Sequence, residues 1–497
     1  MSRRGPAPSS APSEAVDALV LGAGFAGLAA AIELALTGAE VTVVERMGAP
    51  GGKAGEVRSA GYRFDTGPSV VTLPEVIAAP FRDAGRAVPL KLRPLDPPAR
   101  YRFASGRVLD VRRDVEATTA QLSASEARAY RTLLDEARAM YEAAAPTFVH
   151  GPHPGPARLL RYGLRHGLRA KPWAKLPDLL ARHGAHGELR DLFLRFATYF
   201  GADPFQAPAV LHNIAWVELG LGVVAPEGGV AGLVRAYETL ARQLGVRFVY
   251  GATVTELRPR ASAAPEVRVQ RDGRAAAYRP TRLVSTLDRD RTLRLLGRRA
   301  PGARVTPSLS GLVLLMAVEG RHQDVLHHTL SMPADYAAEF QAIRHGRAPA
   351  DPALYLSLSC RSEPEDAPPG AENWFVMANA PALDGDGAGI DEEAYARRVE
   401  ALLVRRGWLR EGEGRTLAVL GPRHLAELAS RGAIYGAAPH SLAATLRPPQ
   451  RLRGVRDTVL AGGTVHPGGG IPLAVLSGRR AARTVARRRG RHATGAG

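Results

Sequence analysis

Asp17-Ala18-Leu19-Val20-Leu21-Gly22-Ala23-Gly24-Phe25-Ala26-Gly27 is the stretch that decides the fold. Its first five residues read as a short buried strand, and the glycine loop follows at once. Leu28 to Leu36 is rich in Ala and Leu and reads as a helix, with Gly38 in the usual place for a C-terminal cap. Val41-Thr42-Val43-Val44 is β-branched and reads as a second strand, which completes a βαβ unit of about 30 residues. Gly22-x-Gly24-x-x-Gly27 is a weak signal alone, but here a strand precedes it and a helix follows. Gly22 permits the tight turn, and Gly24 removes the side chain that would block a pyrophosphate. Gly27 and Ala31 let helix and strand pack closely. The helix start, with Phe25 and Ala26, offers free N–H groups and a positive dipole end to phosphates. Glu45 closes the second strand at the spacing where a carboxylate accepts hydrogen bonds from ribose hydroxyls. It would repel a 2′-phosphate, so NADP is disfavoured.

Outward from this unit, 497 residues predict two or three domains. Cys360 is the only cysteine, which excludes an intrachain disulfide and a cysteine-built metal site. The net charge is +18, almost all of the excess being arginine. Two readings of it stay open: arginine-rich codon usage, or attraction to an anionic surface. No nucleic-acid-binding motif is present, so a lipid surface is the favoured partner and nucleic acid is not expected. Met1 to Glu14 reads as a flexible leader without the apolar core of a signal peptide, and residues 490–497 as a second flexible tail. No uninterrupted apolar run of about 18 residues exists, so no membrane span is expected.

Ser123-Ala124-Ser125-Glu126 is a capping-box pattern that opens a helix to about Ala145, broken by Pro146 and the Gly151–Pro156 run. Ala157 to Phe200 is again helical in pattern. Gly229 to Leu244 predicts another helix. Arg247 to Tyr250 and Ala252 to Leu257 predict strands, and Leu309–Val318 and Leu354–Leu358 predict strands of a second sheet. Thr458 to Gly462 reads as a late strand of the nucleotide domain, followed by a helix from about Ile471. Arg158 to Trp173 is basic and amphipathic, with Tyr162 and Trp173 as interfacial aromatics. It reads either as an ordinary surface helix or as a membrane-docking element.

Gly51-Gly52-Lys53 follows Glu45 closely, as does Arg46. This second glycine pair resembles that of the glutathione-reductase-like FAD proteins, which implies FAD in place of NAD. Gly61-Tyr62-Arg63-Phe64-Asp65-Thr66-Gly67-Pro68-Ser69 then resembles the segment that runs along the flavin in phytoene desaturases and their relatives. Pro204 to Ala209, Pro226 to Val230 and Val254-Thr255-Glu256-Leu257 are similar to further landmarks of that family. So is Leu446-Arg447-Pro448-Pro449 with Gly462-Gly463-Thr464-Val465-His466-Pro467-Gly468-Gly469-Gly470-Ile471-Pro472. Ser285-Thr286-Leu287-Asp288 departs from the Asn-Ala-Asp run of many members. The ending His466 to Arg479 is nearest to the 3,4-desaturases of hydroxylated or methoxylated acyclic carotenoids.

The resemblance implies an α/β fold: a glutathione-reductase-like, Rossmann-type FAD domain with a mixed-sheet substrate domain and a helical cap. The FAD domain is expected from residues 15–88, 225–300 and 445–489, the cap from 89–224, and the substrate domain from 301–444. Expected FAD contacts are Gly22, Gly24, Phe25, Ala26, Gly27, Glu45, Arg46, Gly51, Gly52, Lys53, Thr66, Gly67, Pro68, Val254, Gly462, Gly463, Gly470 and Ile471. Cys360 lies outside every cofactor motif, so the flavin is expected to be non-covalent. The implied activity is desaturation of a long apolar carotenoid, most closely at C-3,4 of a 1-hydroxylated acyclic one, by an enzyme peripheral on the inner face of the cell membrane. Phytoene desaturation and carotenoid isomerisation or oxidation remain alternatives. A flavin amine oxidase is disfavoured by the closing His-Pro-Gly-Gly-Gly run, and a non-enzymatic prenyl-binding module by the complete fingerprint. No catalytic base stands out. His466 is the best-placed polar group, with a structural role as its rival reading. Glu218 and Asp203 read as surface or capping carboxylates, and Asp65 as ordering its own turn. His327-His328 is expected to point opposite ways on a strand, and His150 and His153 lie in a Pro/Gly loop, so no metal site is expected.

Overall fold

The chain is described by a computed structural model for residues 13–167, 174–300 and 305–493. Strand β1 (Ser13–Leu21), helix α1 (Phe25–Ala35) and strand β2 (Val41–Val44) form the opening βαβ unit, with β1 and β2 parallel. The strand starts ahead of its apolar run. Ser13 and Glu14 pair with Ala277 and Tyr278, and so belong to the sheet and not to a flexible leader. A hairpin follows, β3 (Glu56–Ser59) and β4 (Tyr62–Asp65), then α2 (Pro74–Asp83), β5 (Leu92–Leu95), β6 (Ala99–Arg102) and β7 (Val108–Val111). The expected helical cap of 89–224 therefore opens with strands. β6 and β7 alternate buried and more exposed residues, with Tyr101, Leu109 and Val111 inward, the period of a half-buried strand.

Helices α3 (Val115–Thr119) and α4 (Ala124–Ala144) come next. At the start of α4 the expected box is made: Ser123 N–H donates to Glu126 Oε2 at 3.0 Å, and Glu126 N–H to Ser123 Oγ at 3.4 Å. The α-helix ends at Ala144, just before Pro146, as expected. The chain widens into a π turn over Ala145–Val149, closed by His150 N–H to the Ala145 carbonyl at 2.8 Å. A wider turn accommodates a ring that has no N–H to give. The cap continues with α5 (Pro156–His166), α6 (Leu176–Arg182), α7 (Gly187–Arg195), a 3₁₀ turn at Phe196–Phe200 and α8 (Asn213–Leu219).

The chain then returns through β8 (Val223–Pro226), α9 (Gly229–Gln243), β9 (Arg247–Val249), β10 (Ala252–Arg258), β11 (Glu266–Arg271), β12 (Arg274–Ser285) and α10 (Arg289–Leu295). Next come β13 (Ser310–Glu319), β14 (His328–Ser331), α11 (Tyr336–Arg344), β15 (Leu354–Ser357), β16 (Ala371–Ala380), α12 (Glu392–Arg405) and β17 (Gly414–Leu420). Helices α13 (Pro422–Leu428) and α14 (Leu442–Thr445), strand β18 (Thr458–Leu460) and helix α15 (Ile471–Ala493) close it. Helix α15 takes in residues 490–493, which the sequence reading placed in a tail.

One seven-stranded sheet has the order β10-β11-β12-β1-β2-β9, with β18 beside β12. Its β1, β2, β9 and β18 pairings are parallel, and β10-β11-β12 is an antiparallel meander. The second has the order β17-β13-β16-β15-β14-β6-β7 and is antiparallel except where β14 meets β6. Helix α1 is buried on all sides between the first sheet, α9 and α15. It can be so because Ala29, Ala30 and Ala31 are small and α15 brings Gly478 against it; a Cβ at Gly478 would stand 2.0 Å from the Ala26 carbonyl oxygen. One face of the second sheet packs on the cap helices. The other packs on α12 through Trp374, Tyr395 and Leu403.

Candidate functional site

A cavity of about 980 Å³ runs from the glycine loop of the first sheet to the inner face of the second. Its wall includes Gly22, Gly24, Phe25, Ala26, Glu45, Arg46, Gly51, Gly52, Lys53, Thr66, Gly67, Pro68, Val254, Gly463, His466, Gly470 and Ile471. Of the expected FAD contacts, Gly27 and Gly462 are off this wall. A Cβ on Gly27 would lie 1.9 Å from the Gly22 carbonyl oxygen, so this glycine serves packing. Gly462 N–H donates to Ser477 Oγ of α15 at 3.0 Å.

The two glycine turns are tied to each other. Gly51 N–H donates to the Ala23 carbonyl at 3.0 Å, and Gly51 takes up φ +137°, a region L side chains avoid. Glu45 accepts from Ala23 N–H at 2.7 Å and from Met47 N–H at 2.8 Å, which fixes its carboxylate beside the loop with lone pairs to spare. The start of α1 carries no side-chain cap and no acidic residue in its first turn. Uncapped N–H groups at the cavity wall, flanked by glycines, are what an anionic pyrophosphate requires. A dinucleotide therefore fits these residues. Thr286, in the run that departs from the family pattern, also serves the loop: its hydroxyl donates to the Leu21 carbonyl at 2.7 Å and lines the cavity. Sequence reading missed it because a hydroxyl stands where an amide was looked for.

At the closing motif, Tyr435 lies over Gly463 and Gly469; a Cβ on Gly469 would come within 2.0 Å of the ring. Lys53 reaches the Ile434 carbonyl, and its ammonium pKa is lowered to about 8 by burial, with Asp288 opposing the shift. His466 is buried, and its Nε2 lies 3.1 Å from the Gly151 carbonyl oxygen, so that nitrogen carries the proton. Burial lowers its pKa to about 4. The imidazole is thus a neutral donor that ties the closing motif to the loop before α5. The His153 ring stands edge-on to it at 5.4 Å.

The cavity wall also carries a polar cluster that sequence reading did not assemble. Arg195, at the last turn of α7, donates through Nε to the Tyr101 hydroxyl at 2.7 Å and through Nη1 to the Tyr199 hydroxyl at 2.6 Å. Its Nη2 meets Glu218 Oε1 at 2.9 Å. Glu218 is therefore not a surface or capping carboxylate but half of a buried ion pair on the cavity wall. Asp203 too is neither a surface nor a helix-capping carboxylate: it is buried, closes its own turn by accepting from Phe205 N–H at 2.9 Å, and pairs with Arg344. Asp65 caps α9 by accepting from Val230 and Ala231 N–H, both at 3.0 Å. The Tyr355 hydroxyl bridges Ser69 Oγ at 2.6 Å and His328 Nδ1 at 2.7 Å. His327 and His328 do not point opposite ways. His327 precedes β14, outside the strand alternation, and the two rings meet edge to face at 4.6 Å. Their nitrogens bond Ser362 and Tyr355.

Helix α5 forms part of the wall through Leu159, Tyr162 and Gly163. Tyr162 packs on Phe148 at 4.7 Å and so faces the cavity, not an interface. Leu160 and Leu164, one turn apart, are 66% and 82% exposed, beside exposed Arg161 and Arg165. Trp173 and the rest of 168–173 lie outside the described residues. Cys360 sits in a turn at Ser359–Arg361, off the cavity wall.

The profile of the flavin containing amine oxidoreductase family matches residues 25–486. A hydroxyneurosporene desaturase of Rhodobacter capsulatus is 35% identical, over 94% of this chain and 97% of its own. A phytoene dehydrogenase of Streptomyces griseus is 32% identical, over 94% of each chain. A 1-hydroxycarotenoid 3,4-desaturase of a Flavobacterium species is 28% identical, over 93% and 96%. Among solved structures, a putrescine oxidase variant aligns with TM-score 0.63 at 15% identity, over 96% of this chain and 100% of that one, a likeness of fold.

Proposed function

Because the chain belongs to the flavin-containing amine oxidoreductase family, and within it to the bacterial carotenoid desaturases, it is an FAD-dependent oxidoreductase of CH–CH bonds in acyclic carotenoids, and we propose that it desaturates C-3,4 of a 1-hydroxylated one. The observation that carries this reading is one cavity whose wall takes in the glycine loop, the apolar side chains Val313, Leu330, Phe375 and Met377, and the Arg195–Glu218 cluster. A rod-like polyene with one polar end finds both kinds of surface there.

In this reading the Gly22–Ala26 loop and the uncapped start of α1 hold the pyrophosphate, with Gly51 and Gly52 closing over it. Glu45 takes the ribose hydroxyls, and Val254 flanks the adenine end. Thr66–Pro68, Lys53, Gly463, Gly470 and Ile471 flank the rest of the cofactor. Segments 15–88, 225–300 and 445–489 then act as the cofactor unit and the second sheet as the substrate unit. Bound FAD supplies the acceptor for a hydride from an allylic C–H, where developing positive charge spreads along the polyene. The side chains around the cavity orient one bond of the rod and exclude water.

The same reading places the protein on an anionic bilayer, at the inner face of the cell membrane. No helix among the described residues is long and apolar enough to cross a membrane. Helix α5 has one face on the cavity and an outer face of leucine and arginine, so a bilayer-dissolved substrate would meet it first. The test of function offers phytoene and a 1-hydroxylated acyclic carotene separately to the purified, FAD-loaded protein. The hydroxylated substrate is expected to lose one H₂ unit and shift its absorption to longer wavelength. Conversion of phytoene with the hydroxylated substrate untouched would reverse the choice of bond.

A further inference from the structure

Three groups that line the cavity are buried and polar: Arg195, Glu218 and Tyr336, at 5%, 3% and 2% exposure. They differ in how their hydrogen bonds are used. The Arg195 guanidinium is engaged on all three nitrogens, by Tyr101, Tyr199 and Glu218. Glu218 uses only Oε1 for this pair, and its Oε2 has no partner within the protein. The Tyr336 hydroxyl also has none. The surroundings of the Arg195–Glu218 pair are the aromatic and aliphatic side chains of the inner sheet face, where a charged pair costs more to bury than apolar groups of the same size. An acceptor without a donor and a hydroxyl without a partner, both covered by neighbouring side chains on residues that line one cavity, suit a ligand group that gives and takes a hydrogen bond once those side chains move aside.

We propose that Glu218 Oε2, held in place by Arg195, accepts the hydrogen bond of the substrate's terminal hydroxyl, and that the Tyr336 hydroxyl donates to the same oxygen. This rests on the reading of the chain as a desaturase of hydroxylated carotenoids and names what selects the end group. An anionic acceptor discriminates by proton: an alcohol satisfies it, whereas a methoxy or keto end presents only lone pairs and leaves the carboxylate unpaired. Tyr336 alone would not tell these ends apart. The selectivity therefore resides in Glu218, and Arg195 is a positioning residue.

The test compares three acyclic carotenoids that differ only at carbon 1, bearing a hydroxyl, a methoxyl or hydrogen. Each is titrated into FAD-loaded protein, with binding read from the shift of the carotenoid absorption and turnover from product formation. The unsubstituted protein should favour the hydroxylated ligand in both. Glu218→Gln offers a donor as well as an acceptor, so it should lower the hydroxyl-over-methoxyl ratio of Kd and of kcat/KM by about tenfold or more. Tyr336→Phe removes an oxygen with no protein partner, so it folds without losing an internal bond. It should weaken the hydroxylated ligand against the hydrogen-ended one by a smaller factor. Folded, flavin-loaded Glu218→Gln with the original hydroxyl-over-methoxyl ratio overturns the proposal, as does Tyr336→Phe with no change in either ratio. Each of these leaves the desaturase reading standing. An unsubstituted protein that desaturates phytoene and ignores all three ligands removes that reading and the proposal together.

Discussion

Exchanging Leu160 and Leu164 for serine should release the protein from membranes without unfolding it. Burying a leucine fully is worth about 1.5–3 kcal/mol. Side chains already 66% and 82% exposed have most of that still to gain on entering a bilayer interface. The two together amount to about 3 kcal/mol, or about a hundredfold in vesicle affinity. Helix α5 has no buried residue, so the double variant should melt with the parent protein. The assay is co-sedimentation with anionic and neutral vesicles at low and high salt, beside thermal melts. Exposed Arg158, Arg161 and Arg165 add an electrostatic contribution that salt screens. An unchanged partition for L160S/L164S, or equal binding to neutral and anionic vesicles, would refute the assignment of α5 as the docking element.

Gly24→Val fits the protein itself, its Cβ at an ordinary 3.6 Å from the Gly51 carbonyl oxygen, but fills space the pyrophosphate needs, so the purified variant should elute free of flavin with its far-UV spectrum intact; retention of stoichiometric FAD would count against the pyrophosphate assignment. His466→Asn should change the acid limb of stability. Burial, with smaller contributions from Arg480 and His153, lowers the folded pKa to about 4, against about 6.5 unfolded, so the unfolded chain takes up this proton first. The stability linked to neutral His466 is whole above about pH 6.5 and is lost as pH falls through about 4, a difference of about 3 kcal/mol. Denaturant unfolding between those pH values should show a shallower loss in the variant, and parallel curves would sink the idea. Arg479→Met leaves Glu33 and Asp83 facing the gap between α1, α2 and α15. Arg483 still reaches Glu33 at 2.6 Å, which holds the loss to about 3 kcal/mol, the low end for breaking a buried pair. Urea titration decides it, and a loss under about 1 kcal/mol would show the pair to be dispensable.

The glycine-loop end of the cavity was legible in the sequence because its constraints are local. A strand, a glycine turn and a helix start are consecutive, and Gly22 and Gly51 need conformations that glycine alone takes up cheaply. The polar end was not legible for the opposite reason. Arg195 and Glu218 stand 23 positions apart, and Arg195 and Tyr101 stand 94 apart. Each charge alone reads as a solvated helix face, and only the packing of α7 and α8 on the second sheet buries them. The same cause hid β6 and β7: each is four residues long, and the pair joins the second sheet because β14 offers Ala99–Arg102 a parallel partner. Gly27 and Gly462 show the limit of a fingerprint. A glycine in a cofactor motif can serve helix packing or a turn without reaching the cavity.

The two ends are joined closely, and this bears on which bond reacts. A hydroxyl on carbon 1 stands only two C–C bonds, about 1.5 Å each, from the C-3,4 bond. A residue that holds it must therefore lie near the cofactor, not at the remote tip of a long tunnel. The Arg195–Glu218 pair meets that need through Ser69. Ser69 directly follows Thr66–Pro68, the segment proposed to flank the cofactor, and its hydroxyl bonds Tyr355 at 2.6 Å on the cavity wall shared with the Arg195–Glu218 pair. With the hydroxyl anchored there, the rest of the chain must extend through the apolar part of the cavity toward α5. A carotene without the hydroxyl has no such stop and could slide until a bond nearer its middle was presented. The choice between terminal and central desaturation then reduces to one contact, and Ser69→Ala, which frees Tyr355 from the Thr66–Ser69 segment, should loosen it. The expected result is a rise in products desaturated at inner bonds relative to the terminal one, read by product absorption spectra. An unchanged product pattern would mean that the register of the substrate is set elsewhere along the cavity.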